Sequence, residues 1–392
     1  MGEEERRALY AMKQCIIILM LIVFVVLCTV CTIGCVASER KVRIFDVNSG
    51  VLMEIRNATS GYTREIAESS PCQSGSTFAT LQNRLCHEDG GDRSVVRVYD
   101  TNATLLCTSL VPYIYLSPRQ FAVYSEKIIF WNSKADAEYK NTDFSEDLCI
   151  ATLNNKKSIG NIKRITMPLG CGATIDNDES FMWTSPTSVI ANVRCGVFNK
   201  RVAIINTSSG DFRFLPFQIR STAVILASFK CSLSRRYFSV VTPNEEIIVC
   251  DRQGNICHSF SIDQLRAFGL YGQSMSEALN CSSDAMLTIC WDDDDVLWIF
   301  NPKGKYVGID VQTNSVIRSG CVGLNSEEKL IGLIQKRYAV VKQRRSSEFV
   351  CSIWGNRFYV KDLKTENCVV EMPNSISSYV YLGKGLMLLL DL

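Results

Sequence analysis

The sequence predicts an all-β fold in which small antiparallel sheets close into a ring, preceded by one membrane-spanning segment. Three observations predict this organisation. A strand–turn–strand motif returns about every fifty residues from residue 41 onward. A further apolar stretch of strand length precedes most copies of the motif. Residues 14–38 form an uncharged, almost wholly apolar run.

The first copy of the motif is KVRIFDVNSGVLMEI, residues 41–55. Apolar residues alternate with polar ones up to Phe45-Asp46, a polar turn with a glycine follows, and alternation then resumes from Val51. Strands place successive side chains on opposite faces, and Asn, Ser and Gly tolerate the backbone conformations of tight turns. The stretch therefore predicts a β-hairpin.

Similar stretches include SVVRVYDTNATLLCTSL, EEIIVCDRQGNICHSF and NRFYVKDLKTENCVVEM. Each copy has an Asp or Asn where its turn opens, and these positions are 45 to 59 residues apart. The predicted turn openers are Asp46, Asp100, Asn154, Asn206, Asp251, Asp310 and Asp362. Such a period indicates one supersecondary unit repeated along the chain.

Inner strands are predicted upstream of most copies, in stretches such as QFAVYSEKIIFWN and AMLTICWDDDDVLWIF. Four short strands per fifty residues, without an amphipathic helix between them, are typical of a propeller blade. The first copy lacks its inner strands, whereas the C-terminal SSYVYLGKGLMLLLDL reads as two strands. We therefore predict a seven-bladed β-propeller in which the N- and C-terminal strands share one blade, which hides both sheet edges.

The segments VRIFD, VRVYD and FYVKD resemble the third and fourth strands of WD-repeat and quinoprotein-like β-propellers. The resemblance extends over most of residues 41–392 and concerns the fold. It implies a propeller domain over residues 39–392, in which turns of several blades form a recognition surface.

The apolar run predicts a transmembrane helix over residues 14–38, with residues 1–13 as a short tail. Its length favours a retained signal anchor, and the alternative is cleavage after the small residues that end at Ala37. Orientation stays open, because three Lys or Arg residues flank each side: Arg6, Arg7 and Lys13 before the run, and Arg40, Lys41 and Arg43 after it.

Cysteine usage favours an oxidising compartment. Of 18 cysteines four lie in the apolar run, which leaves fourteen in the rest of the chain, an even number. The hairpin model suggests three disulfide pairs: Cys72 with Cys86, Cys250 with Cys257, and Cys281 with Cys290. The alternative is that these cysteines are buried free thiols.

Four sequons make the chain a candidate glycoprotein, with acceptor residues Asn57, Asn102, Asn206 and Asn280. A chain of this composition contains about three such triplets by chance, so their number is no evidence. Asn102 and Asn206 fall at predicted hairpin tips, where a glycan would project away from the core.

Composition argues against several functions. The 42 Lys and Arg balance 40 Asp and Glu, so the chain lacks the charge that nucleic acid binding requires. Only two histidines are present, and no His-Glu-x-x-His motif, Gly-rich phosphate loop or nucleophile elbow occurs, so no catalytic residue, cofactor or metal is predicted. The acidic run of residues 292–295 is interpreted as a solvated hairpin tip, with a hard cation site as the alternative.

The favoured function is that of a single-pass, membrane-anchored propeller that binds a protein or glycan ligand on the lumenal or extracellular side. The first alternative is a cytosol-facing scaffold for protein complexes. The second is a hydrolase or lyase with its site in the central channel. The sequence favours a binding protein over an enzyme.

Overall fold

The structure is a computed structural model. It describes residue 20 and residues 42–55, 65–68, 77–84, 93–100, 102–112, 121–124, 126–132, 147–153, 162–172, 181–196, 199–219, 229–244, 246–270, 287–344, 356–372 and 376–391. The described residues are mostly β-strands, and all strand pairs are antiparallel.

Within the described residues the strands form seven sheets, numbered 1 to 7 here. Sheet 1 contains β1 (Val42–Asp46), β2 (Leu52–Glu54), β28 (Ile376–Gly383) and β29 (Leu386–Asp391). Sheet 2 contains β3 (Glu65–Glu68), β4 (Thr77–Arg84), β5 (Arg93–Asp100) and β6 (Leu105–Pro112). Sheet 3 contains β7 (Phe121–Tyr124), β8 (Lys127–Asn132), β9 (Asp147–Thr152) and β10 (Lys163–Thr166).

Sheet 4 has five strands: β11 (Cys171–Gly172), β12 (Phe181–Ser185), β13 (Ser188–Cys195), β14 (Asn199–Asn206) and β15 (Phe212–Ile219). Sheet 5 contains β16 (Phe229–Cys231), β17 (Tyr237–Val241), β18 (Ile247–Asp251) and β19 (Ile256–Phe260). Sheet 6 contains β20 (Thr288–Trp291), β21 (Val296–Phe300), β22 (Lys305–Asp310) and β23 (Ser315–Cys321). Sheet 7 contains β24 (Glu328–Ile334), β25 (Tyr338–Arg344), β26 (Asn356–Asp362) and β27 (Cys368–Glu371).

One short helix, α1 (Ile262–Ala267), follows sheet 5. Ser261 and Gln264 form a capping box at its start, because each side chain bonds the backbone N–H of the other residue. Leu265 is its buried residue and packs into the core beside sheet 6. The sequence predicts no helix between the strands, because six residues are too few for a helical pattern to be visible.

Each sheet contains a four-stranded meander, whose strands are named first to fourth in pairing order; in sheet 1 the order is β28, β29, β1, β2. In sheet 4 the meander is β12 to β15, and the fifth strand, β11, pairs with the end of β13. Turns after the first and third strands lie at one end of the sheet, which we term the turn face. The connections after the second and fourth strands lie at the other end, the loop face. First strands of neighbouring sheets contact one another, as in the pairs β7 with β12, β16 with β20, and β20 with β24.

The core lies between the sheets. Each of seven clusters of buried apolar residues joins two consecutive sheets, for example Trp131 of sheet 3 with Trp183 of sheet 4. Sheet 7 is joined to sheet 1 in the same way, through a cluster that includes Val360 and Leu389. No sheet could bury both of its faces alone, so the stacking of neighbours supplies the core.

The predicted sharing of one sheet by the two ends of the chain is confirmed. β1 pairs with β29 from Val42 opposite Leu390 to Asp46 opposite Leu386. This pairing satisfies backbone groups that would otherwise form two free sheet edges.

The predicted transmembrane helix over residues 14–38 lies outside the described residues, apart from Met20, which is helical and exposed. In the described part of the chain, no helix has both the length and the apolar character needed to span a bilayer.

Candidate binding face

The outer turns of the turn face, between third and fourth strands, share one hydrogen-bonding design. In six of them the side chain of the residue that ends the third strand accepts backbone N–H groups two to four residues further on: Asp46, Asp100, Asn206, Asp251, Asp310 and Asp362. Asp and Asn favour such turns because their short side chains reach these donors. The sequence motif thus marks the outer turns.

The seventh predicted turn opener, Asn154, is wrong by two residues. In sheet 3 the third strand ends at Thr152, the position that Asp or Asn occupies in the other sheets. The N–H of Leu153 donates to the carbonyl of Glu126, as Leu363 donates to Arg337 in sheet 7. Asn154 itself lies outside the described residues, and the search for an Asp or Asn missed a threonine at the equivalent position.

These outer turns are tied to the inner turns, which connect first and second strands. The residue after the turn opener donates its backbone N–H to a carbonyl of the inner turn in five sheets: Val47 to Gly385, Leu153 to Glu126, Thr207 to Thr187, Val311 to Asp295, and Leu363 to Arg337. Because each bond crosses from the outer to the inner turn, the turn face is braced within these sheets.

The acidic run Asp292–Asp295 forms the inner turn of sheet 6 and links four sheets; we term it the acidic hub. Asp292 is fully buried, and its carboxylate accepts the N–H of Asp293 at 2.8 Å and the indole N–H of Trp298 at 3.1 Å. It also accepts the backbone N–H groups of Gln335 and Lys336 in sheet 7, both at 2.6 Å. Burial raises the pKa of Asp292, and these donors partly oppose that effect.

Asp293 reaches sheet 1. Its carboxylate accepts the hydroxyl of Tyr381 at 2.7 Å and the backbone N–H of Lys384 at 3.1 Å. Burial raises the pKa of Tyr381, and the bond to Asp293 raises it further, so the phenol stays a donor.

The other two carboxylates of the acidic hub reach both neighbouring sheets. Asp294 pairs with the ammonium of Lys336 in sheet 7 at 3.0 Å. Asp295 is buried and accepts the Ser234 hydroxyl and the Arg236 guanidinium, both in the inner turn of sheet 5. Its backbone carbonyl also accepts the N–H of Val311 within sheet 6.

The interpretation of residues 292–295 as a solvated hairpin tip is therefore wrong. Asp292 and Asp295 are buried, and all four carboxylates have protein partners. As for the alternative, the described residues contain no group of three or more His, Cys, Asp or Glu placed to hold a metal ion. The sequence pattern does not show the donors that come from other sheets, because they lie 42 to 91 positions from the carboxylates that they bond.

Exposed aliphatic side chains occur beside the outer turns. In six of the seven sheets, the first residues of the fourth strand or the residue just before it are exposed and aliphatic: Val51 and Leu52, Leu105 and Leu106, Ile162, Ile256, Val316 and Ile317, and Val369. We term this set the aliphatic rim. In sheet 4 the fourth strand begins with Phe212, which instead packs against the core. No repeated charge occupies these sites, although charge is a common protection of edge strands.

Two glycosylation candidates are described, and both lie on the turn face. Asn102 is exposed at the outer turn of sheet 2. Asn206 is exposed at the outer turn of sheet 4, where its side-chain oxygen accepts the N–H groups of Ser208 and Ser209. Asn57 and Asn280 lie outside the described residues. Glycosylation at any of these sites stays a prediction.

The disulfide candidates are not joined where they are described. Cys250 is a buried free thiol and pairs in register with Ile256, whereas Cys257 is an exposed free thiol beside the bulge. Cys290 is also a free thiol, and its suggested partner Cys281 lies outside the described residues, as do Cys72 and Cys86. The hairpin model placed Cys250 opposite Cys257 because it lacked the bulge, which shifts the register by one residue.

Proteins that the chain resembles were found among solved structures. No family model matches the chain, and no curated protein matches its sequence. Among solved structures, the Dos1 propeller is 12% identical with a TM-score of 0.40, and the match covers 90% of this chain and 73% of that chain. BamB from Moraxella catarrhalis is 9% identical with a TM-score of 0.38, with coverage of 84% and 98%. Apo AztD from Citrobacter koseri is 10% identical with a TM-score of 0.35, with coverage of 72% and 95%.

Similarity at these TM-scores is weak, so the assignment rests on the strand pairing of the chain itself. Successive sheets that each contain a four-stranded meander, packed face to face with first strands in contact, define the β-propeller class. The chain is a β-propeller protein.

Proposed function

We propose that this chain is a single-pass, membrane-anchored, seven-bladed propeller that binds a protein ligand through its turn face, on the lumenal or extracellular side. The seven sheets and the cluster that joins sheet 7 to sheet 1 support the blade number. The apolar run of residues 14–38 supports the anchor.

The aliphatic rim carries the proposal of a protein ligand. Its residues lie at or next to the start of the fourth strand in six sheets and expose between 37% and 55% of their surface. Aliphatic groups gain free energy when they are buried against a complementary apolar protein surface. Glycans, by contrast, present many hydroxyl groups that such side chains cannot bond. Asn48 and Ser49, the exposed and uncharged turn residues beside Val51, supply part of the polar edge of such an interface.

The bracing of the turn face supports recognition by a preformed surface. The acidic hub connects sheets 5, 6, 7 and 1, and the bonds from outer to inner turns hold five sheets. A rigid surface loses less conformational entropy when it binds, so more of the contact energy remains as affinity.

The direction of β1 supports a turn face that points away from the membrane. β1 ends at the turn face with Asp46, so its first residue, Val42, lies at the loop face. Only residues 39–41 separate Val42 from the end of the apolar run, and three residues span about 10 Å at most. With the anchor in a bilayer, the loop face therefore lies next to the lipid, and the aliphatic rim is accessible to a soluble partner.

A second candidate keeps the same turn face but places it in the cytosol as a scaffold for protein complexes. The exposed free thiols of Cys257, Cys321 and Cys368 favour this candidate, because exposed thiols persist in reducing compartments.

Topology decides between the two candidates. Sealed membrane vesicles that contain the full chain with a C-terminal tag are treated with protease, and a separate sample is opened with detergent and treated with an N-glycosidase. We expect the tag to be protected and a mobility shift that is reduced in Asn102→Gln and Asn206→Gln variants. Digestion of the tag without detergent, with no mobility shift, would establish the cytosolic scaffold and overturn the lumenal placement.

The turn face is tested with a photo-crosslinking amino acid placed singly at Ile256, Val316 or Val369 of the full chain in cells. The matched control is Leu169, an aliphatic residue that is 71% exposed but follows the fourth strand of sheet 3 at the loop face. We expect one cross-linked product of the same partner mass from all three rim positions and none from Leu169. Equal products from Leu169, or no product from any rim position, would refute binding by the turn face.

A further inference from the structure

Two cysteines outside the suggested disulfide pairs face each other in sheet 4. Cys171 begins β11 and Cys195 ends β13, and the two residues are direct partners in the antiparallel register. Their sulfur atoms are 3.0 Å apart, with the thiol of Cys171 donating to the sulfur of Cys195. Cys171 is 5% exposed and Cys195 is partly exposed.

The local hydrogen bonds show which kind of antiparallel pair this is. The N–H of Gly196 donates to the carbonyl of Gly170 at 2.7 Å, which joins the residues on either side of the cysteines. Cys171 and Cys195 therefore form a non-hydrogen-bonded pair, in which Cα atoms are about 4.5 Å apart and side chains are closest. That separation lies within the range of about 4.4–6.8 Å that disulfides require.

We propose that Cys171 and Cys195 are a redox site that closes to a cross-strand disulfide by exchange with a small-molecule disulfide such as oxidised glutathione. The thiolate of the more exposed Cys195 attacks one glutathione sulfur, and one glutathione thiol leaves. The sulfur of Cys171 then attacks the Cys195 sulfur of the mixed disulfide and releases the second glutathione thiol. Two cysteine thiols are oxidised, one disulfide is reduced, and both protons end on the released thiols.

The site differs from the other buried cysteines. Cys149 lies opposite Phe130 and Arg164, and Cys250 lies opposite Phe238 and Ile256. Cys231 also lies opposite Phe238, so none of the three has a cysteine as its strand partner. Burial raises the pKa of Cys195 to about 12, and the neighbouring thiol of Cys171 adds to this effect. Thiolate is therefore scarce at neutral pH, and the uncatalysed exchange is slow.

The expected consequence is a sheet 4 that is held more firmly at the loop face. β11 has only two residues and pairs through Cys171 with Cys195 and through Gly172 with Arg194. A disulfide would fix this short strand and close the loop between residues 171 and 195, which limits the freedom of the unfolded chain.

Peptide mapping of the full-length protein tests the proposal. The chain is equilibrated with an excess of oxidised glutathione, denatured, alkylated without reduction, and digested. We expect a linked peptide pair that contains Cys171 and Cys195, while Cys149 and Cys250 carry the alkyl group. Complete alkylation of both Cys171 and Cys195 would overturn the proposal, and this readout needs no variant to fold.

Thermal unfolding before and after addition of dithiothreitol gives a second readout. We expect reduction to lower the Tm of the wild type by several degrees, since a loop of this length is closed. Cys195→Ser should abolish the difference, and the matched control Cys257→Ser should retain it. An unchanged Tm on reduction of a protein shown to be linked would refute the stabilising role.

Discussion

The contacts of Asp292 make it the residue whose conservative substitution should cost most. The variant Asp292→Asn keeps the shape of the side chain but replaces one acceptor oxygen by an NH₂ donor. One carboxylate oxygen accepts the N–H groups of Asp293 and Gln335, and the other accepts those of Trp298 and Lys336. In either orientation of the amide, its NH₂ group takes the place of one carboxylate oxygen. The two buried N–H groups that bonded that oxygen then have no acceptor there.

The size of the effect follows from these contacts. A hydrogen bond to a charged group contributes about 1.5–3 kcal/mol, so the loss of two costs about 3–6 kcal/mol. Removal of a buried charge offsets part of this loss of free energy, because burial disfavours the ionised carboxylate, in line with the raised pKa of Asp292. We expect a net loss of about 3 kcal/mol in the free energy of unfolding.

Urea unfolding of the full-length chain, followed by tryptophan fluorescence, measures this loss. The matched control is Asp294→Asn in the same turn, whose carboxylate is 77% exposed and pairs with Lys336. An exposed ion pair contributes less than about 1 kcal/mol, so the control should unfold almost as the wild type does. A loss below about 1 kcal/mol for Asp292→Asn, or an equal loss in the control, would refute the role of the acidic hub.

Three further predictions concern other parts of the propeller. The Lys364 N–H and the Arg337 guanidinium lower the pKa of Asp362, so its stabilising contribution holds above its usual pKa of 3.8 and is lost as pH falls through the lowered value. The stability difference between wild type and Asp362→Asn should therefore shrink below about pH 4 in pH-dependent urea unfolding; a constant difference would contradict this. Gly308→Ala should cost about 1–3 kcal/mol in thermal unfolding, because the added Cβ would lie 2.3 Å from the Trp298 ring, and a neutral outcome would show that the ring can move. Asp251→Ala removes the acceptor of an exposed outer turn and should cost about 1–2 kcal/mol by the same assay, with no loss arguing that water replaces the bonds.

The outer turns were predictable because their design is local. A side chain that bonds N–H groups two to four residues onward involves at most five consecutive residues, as in Asp251 to Asn255. The turn of sheet 3 was predicted at the wrong residue because the prediction required an Asp or Asn, whereas Thr152 ends the third strand there. The end of the third strand marks the outer turn whichever residue occupies that position.

The candidate binding face was predictable only in outline. That turns of several blades share one face follows from the alternation of antiparallel strands. The aliphatic rim has a faint signal in the sequence, since an aliphatic residue follows six of the seven outer turns, in stretches such as SGVLM and NATLL. Whether Val51 or Leu105 is exposed depends on what packs against the fourth strand, and a period-two pattern does not show that.

By itself the sequence determined the repeated hairpin and its period, because turn chemistry and strand alternation act between near neighbours. The repeat also determined that the first and last strands pair, because each supplies the strands that the other lacks in one sheet. The tertiary structure alone decided that Asp292 is buried among donors from sheet 7 and that Cys171 lies against Cys195. These contacts join residues far apart in sequence, and their energies depend on burial and on distances of a few ångströms. Such quantities exist only once the sheets have packed.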